Sequence, residues 1–142
     1  MTELKNKLNG KVVLPDDSRY DEVRKIWNAM INKRPSAIVR CADANDVVHA
    51  VRFALEKGLE TSIRGAGHNI AGNSICDNGL MIDLSGMKNV GVDVTNKRAY
   101  VGPGATLGDF DKAVQAHGLA TPVGINSTTG IAGLTLGGAS AG

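Results

Sequence analysis

What this chain lacks narrows it first. Lys and Arg number 16 against 14 Asp and Glu, a formal net charge of +2 with the signs interspersed. That leaves no surplus to draw a polyanion or an anionic lipid surface, so neither nucleic acid nor membrane is expected as a partner. No stretch approaches the roughly 18 apolar residues that would span a bilayer. The N-terminus, Met1-Thr2-Glu3-Leu4-Lys5-Asn6-Lys7, has no apolar signal-peptide core. Two cysteines, Cys41 and Cys76, are too few for a disulfide scaffold. They are expected as free thiols in a reducing compartment, which predicts a cytoplasmic location. No His, Cys, Asp and Glu cluster has metal-ligand spacing, so no metal site is expected.

The last absence is local. From Leu119 to Gly142 there is no charged residue. A neutral, apolar, glycine-rich terminus would be sticky if exposed. The expectation is that the chain is cut short here, its end normally running beneath a ligand and into further polypeptide. Association of copies through this stretch is the other expectation it raises.

What is present is glycine, unevenly placed. Of 18 glycines, all but Gly10 and Gly58 lie at Gly65 or beyond. The 142 residues, 42% hydrophobic and 21% charged, suit a folded domain with a sizeable core. Residues 10–15 read as a short strand. Ser18 and Asp21 open a helix whose stripe, Tyr20, Val23, Trp27, Met30 and Ile31, reads as core and ends before Pro35. Ala37–Cys41 reads as a strand. Asp43 caps a helix with Val47, Ala50, Val51, Ala54 and Leu55 inward and Gly58 as its stop. Thr61–Arg64 is the next strand, and this strand–helix–strand run has the length of a βαβ unit with a parallel pair. Three further short strands, at 80–84, 90–94 and 98–101, have hairpin spacing. Thr106 and Asp109 then open a third helix that stops at Gly118. One βαβ unit followed by hairpins predicts an α+β fold.

The stretch Arg64-Gly65-Ala66-Gly67-His68-Asn69-Ile70-Ala71-Gly72 follows a strand and concentrates glycine, one arginine and one histidine. Successive amides in a glycine turn form a concave anion site, and an arginine beside it suits phosphate. A Rossmann loop is excluded, because the third glycine is misplaced and no helical periodicity follows to set a helix terminus against the phosphates. No Gly-Lys-Ser/Thr marks a P-loop. Two further tight segments, Val101-Gly102-Pro103-Gly104-Ala105 and Gly124 to Gly138, argue for a long ligand touched mainly by main chain.

Taken together, Arg-Gly-Ala-Gly-His-Asn, Ile-Asp-Leu-Ser, Val-Gly-Pro-Gly-Ala and Thr-Gly-Ile-Ala-Gly-Leu-Thr-Leu-Gly-Gly, in this order over residues 34–138, resemble the PCMH-type FAD-binding domain of berberine bridge enzyme-like oxidoreductases. These belong to the vanillyl-alcohol oxidase and p-cresol methylhydroxylase superfamily. The resemblance implies residues 1–33 as an N-terminal extension with a helix and 34–142 as an incomplete FAD-binding domain without its substrate domain. A small βαβ-containing subdomain would precede a mainly antiparallel one. It implies FAD bound by Arg64, Gly65, Ala66, Gly67, His68, Asn69 and Gly72 at the diphosphate, with His68 where relatives carry a covalent flavin. Gly102, Gly124, Thr128, Thr129, Gly130, Gly133, Leu134, Thr135, Gly137 and Gly138 would complete the cofactor contacts. Asn126 stands where relatives place a second, cysteinyl link, so none is expected. The implied parent oxidises an alcohol, sugar or amine-like substrate by hydride transfer to flavin N5. No catalytic residue is expected within these 142 residues, which alone would turn over little. The competing reading is a noncatalytic flavin- or nucleotide-binding or assembly module, and a third is a glycine-rich α+β binding protein without flavin.

Overall fold

The structure is a computed structural model that describes residues 1–138. Ala139 to Gly142 lie outside the described residues. The chain runs α1 (Thr2–Lys5), β1 (Lys11–Val13), α2 (Tyr20–Val23), β2 (Ala37–Arg40), α3 (Ala44–Glu56), β3 (Thr61–Arg64), β4 (Leu80–Asp83), β5 (Val90–Asp93), β6 (Arg98–Val101), α4 (Leu107–Gln115) and α5 (Ile131–Leu136).

A four-stranded sheet, in the order β1-β2-β4-β3, carries the core. Strand β4 pairs in parallel with β2 on one side and β3 on the other, while β1 runs antiparallel along β2. Because side chains alternate across a strand, Ala37, Val39, Leu80 and Ile82 face a cluster completed by Leu4, Ala50 and Ala54, under α3. Ile38 and Met81 face a second cluster with Val13, Tyr20 and Ile75. Residues from the first 20 positions thus enter both clusters.

Two corrections follow for this sheet. The strands flanking α3 are parallel, as expected, yet they are not neighbours. Leu80–Asp83, read as part of a hairpin, separates them and is buried along its whole length. A strand apolar on both faces gains most from the centre of a parallel sheet. The hairpin expectation holds for β5 and β6, which pair antiparallel through a turn where Lys97 takes φ +53°.

The helices divide likewise. Asp43 caps α3 through the amide of Asp46 at 3.0 Å, and Gly58 leaves it at φ +60°. The inward face is Asp46, Ala50 and Ala54, whereas Val51 is 47% and Leu55 81% exposed. Asp46 claims the interior because its buried carboxylate accepts the amides of Asn9, Gly10 and Ala42, each at 2.8 Å, which rotates the helix away from its apolar stripe. At Thr106 and Asp109 the reciprocal cap forms as expected.

The long helix read over residues 20–31 is one turn, α2. Tyr20 is buried, but Trp27 and Met30 are exposed. The cause lies across the chain: the Arg64 guanidinium takes hydrogen bonds to the carbonyls of Val23 and Lys25, which a continuing helix would need for its own ladder. The segment beyond Val23 becomes a strap along the loop that leaves β3.

Candidate functional site

Parallel register sets the platform. Arg40, Asp83 and Arg64 lie in one row across β2, β4 and β3, at the carboxyl ends of the strands, where parallel sheets present ligands. Asp83 is buried and accepts Arg64 Nη2 at 2.7 Å, Arg64 Nε at 3.2 Å, Arg40 Nε at 3.2 Å and the Ser85 amide at 3.0 Å. Burial alone would raise its carboxyl, but the Arg64 hydrogen bonds and charge, with Ser85, outweigh it and hold Asp83 below the usual carboxylate range. Arg64 thus commits four of its five N–H donors to Asp83 and to the Val23 and Lys25 carbonyls. Its guanidinium, expected at the phosphates, has a structural role in tying the sheet to the 23–25 segment, and it also lines a recess with Gly65, Ala66 and Thr128.

Beyond this row the chain turns outward. Gly67 takes φ +73° and Gly72 φ +76°, conformations that glycine enters without penalty. The amides of Gly65, Ala66, Gly67, His68 and Asn69 donate to no protein acceptor among the described residues. These five residues line a cleft of about 370 Å³ together with Ile63, Asn73, Ser74, Thr129, Gly130, Gly133 and Leu134. Gly130 brings the distant segment in. It bridges to Thr106, and a Cβ there would stand 2.7 Å from that of Ala66. Turn and helix start touch because Gly130 has no side chain to meet the Ala66 methyl and amide.

Nine of the expected contact residues thus meet in one cleft: Gly65, Ala66, Gly67, His68, Asn69, Thr129, Gly130, Gly133 and Leu134. Gly124, Thr135 and Gly138 line a neighbouring apolar groove of about 620 Å³ with Leu107, Phe110 and Leu134. Thr128 lines a separate recess that shares Gly65 and Ala66 with the cleft. Gly72, Gly102 and Gly137 line neither cleft nor groove. Gly72 packs on Ile31, and a Cβ at Gly102 would stand in the Met87 carbonyl. Gly137 closes α5. These are glycines of backbone packing and turn.

Three residues of the site carried no sequence signal. Ser74 lies in the cleft wall, 7% exposed, its hydroxyl without a protein partner among the described residues. Trp27 stacks on the imidazole of His68, and Asn28 bonds the Ile70 carbonyl at 2.8 Å. Helix α5 also went unread, because its glycines hide the helical pattern.

The cysteines stand apart from the cleft. Cys41 is buried in the sheet, its thiol pushed up to about 12 by burial and by the nearby Asp46 and Asp83 charges. Cys76 is buried and receives the Ser62 hydroxyl at 3.3 Å. The Asn126 side-chain oxygen is engaged by the Thr128 amide and hydroxyl.

A strand-end loop of free amides closing on a second glycine segment defines a main-chain cradle for an extended anionic cofactor. Residues 35–142 match the family described as FAD binding domain, and the chain belongs to that PCMH-type family. It is 40% identical over 131 residues to (R)-6-hydroxynicotine oxidase of Paenarthrobacter nicotinovorans, covering 92% of this chain and 29% of that protein. The crystal structure of 6-hydroxy-D-nicotine oxidase from Arthrobacter nicotinovorans superposes with TM-score 0.87 at 39% identity, over 89% of this chain and 28% of that one. The berberine bridge enzyme-like protein 1 of Physcomitrella patens gives 0.88 at 30%, over 95% and 30%. Glucooligosaccharide oxidase of Acremonium strictum, described with 6-S-cysteinyl, 8α-N1-histidyl FAD, gives 0.83 at 26%, over 91% and 28%. The chain therefore spans under a third of the length of these relatives.

The cleft fits FAD on its own evidence. Its lining holds no acidic side chain to repel a diphosphate, five amides point to an anion, and the Ser74 hydroxyl is a buried polar group awaiting a partner.

Proposed function

We propose that this chain supplies the diphosphate loop and the flavin attachment point of an FAD-dependent oxidoreductase. The whole protein would oxidise an alcohol, sugar or amine-like substrate by hydride transfer to flavin N5. The observation that carries the reading is the cleft in which the free amides of Gly65–Asn69, the His68 ring and Thr129–Leu134 converge.

Bound there, FAD would supply the hydride acceptor, chemistry no side chain offers. The chain's own residues bind and orient it. The amides of Gly65–Asn69 would hold the diphosphate, the absence of a side chain at Gly130 lets the second wall approach, and the Ser74 hydroxyl donates to a cofactor oxygen or nitrogen. His68 would carry the covalent bond from a ring nitrogen, since a neutral imidazole is a competent nucleophile. The 8α-N1-histidyl FAD of glucooligosaccharide oxidase supports this. A cysteinyl link is not proposed, because Asn126 occupies that place and both thiols are buried away from the cleft.

The test is acid precipitation of the expressed protein, followed by flavin fluorescence of the pellet. Fluorescence retained in the pellet and lost in His68→Ala supports the tether. Flavin released wholly to the supernatant leaves noncovalent FAD, and none in either fraction overturns the reading.

A second reading has one observation in its favour. Ile125 and Leu136 are exposed beside the apolar groove, as an assembly surface would have them. An oligomer by light scattering that carries no flavin would support it.

A further inference from the structure

Trp27 is the chain's one tryptophan, and it is 63% exposed. Exposure on that scale gives it little part in the core, yet it is not loose. Its amide donates to the Gly67 carbonyl at 3.1 Å. Its neighbour Asn28 donates to the Ile70 carbonyl at 2.8 Å. These two bonds straddle His68. Upstream, Arg64 holds the Lys25 carbonyl at 2.8 Å, and downstream Ile31 fills the space above Gly72. The strap therefore follows the loop residue for residue, and it lays the indole on the His68 imidazole with ring centroids 5.6 Å apart and planes 24° apart.

We propose that Trp27 is a positioning residue for His68: its indole covers one face of the imidazole and fixes the ring plane at the cleft wall. The torsion about Cβ–Cγ of a histidine is broad and nearly two-fold, so an imidazole on a glycine loop would sweep through many planes. A face-on aromatic neighbour removes the edge-on orientations and leaves two, related by a ring flip. Trp27 lines the recess that shares Gly65 and Ala66 with the cleft, and His68 lines the cleft itself. The stack occupies a face of the ring and leaves uncovered its edge, which carries both nitrogens. That this edge meets a flavin rests on the function proposed above; the stack itself does not.

The test has two readouts on the same variants. In flavin-free protein, the His68 ring protons should show upfield ring-current shifts by NMR, lost in Trp27→Leu and largely kept in Trp27→Phe. In protein exposed to FAD, acid-stable flavin should accumulate about tenfold more slowly in Trp27→Leu, a change of about 1.4 kcal/mol in barrier, with Trp27→Phe recovering most of the rate. His68 shifts that do not respond to Trp27→Leu overturn the proposal, as does a lost stack with wild-type attachment. Shifts that collapse while no variant ever holds flavin uphold the stack and overturn the FAD reading instead.

Discussion

Replacing Asp83 with Asn separates two accounts of Arg64. The Asp83 carboxylate is 1% exposed and accepts three bonds from two arginines and one from the Ser85 amide. In Asp83→Asn the amide presents one acceptor and one donor group to those guanidinium donors, and the Arg64 charge stays buried without its counterion. Breaking a buried pair from one side costs about 3–5 kcal/mol, comparable to the lower end of a domain's whole stability. At about 3 °C per kcal/mol for a chain of this size, Tm should fall by about 10–15 °C. Arg64→Lys should destabilise by about 2–3 kcal/mol, because one ammonium cannot reach Asp83 and the Val23 and Lys25 carbonyls together. The pair should be strongly non-additive in a double-mutant cycle. The pH dependence has a fixed sign. Asp83 is held below its ordinary range in the folded chain, so its contribution is present above the unfolded carboxylate value of about 3.9 and is lost as pH falls through the lower folded value. Thermal melts from pH 7 to pH 3 should show wild type losing stability on acidification and Asp83→Asn losing less. If both single variants melt within about 0.5 kcal/mol of wild type, and Arg64→Lys weakens only FAD binding, the guanidinium is a cofactor ligand and the structural account is wrong.

Two other substitutions test particular contacts. Gly130→Ala puts a methyl 2.7 Å from the Ala66 Cβ and 3.0 Å from its amide nitrogen, so it should cost about 1–3 kcal/mol by overpacking and weaken FAD retention; Ala66→Gly in the same chain should restore part of both, and no recovery at all would show that the Ala66 methyl is not what the new side chain meets. Leu55→Lys, on a side chain 81% exposed, should change stability by less than about 0.5 kcal/mol, whereas a loss of several kcal/mol in a urea melt would return Leu55 to the buried face that its helical spacing implied.

Local chemistry was legible in the sequence. The caps at Asp43 and Thr106, the stops at Gly58 and Gly118, the strands and the glycine turn around His68 each depend on residues within a few positions of one another. The motif order sufficed for the family, and composition placed no charge in the stretch that meets the cleft. What tertiary structure alone decided is which residues serve which partner. Arg64 looks outward in sequence because it precedes a phosphate-type loop; register turns it inward by setting Asp83 beside it across 19 positions. Trp27 fits a helical stripe, yet that helix loses two carbonyls to a guanidinium from β3, and the indole ends on a histidine 41 positions away. Asp46, in the first turn of its helix, faces inward because the distant amides of Asn9 and Gly10 join that of Ala42 on its carboxylate. Each of these follows from long-range hydrogen bonds, whose partners no local periodicity encodes, and each bears on how firmly the cleft around His68 is held.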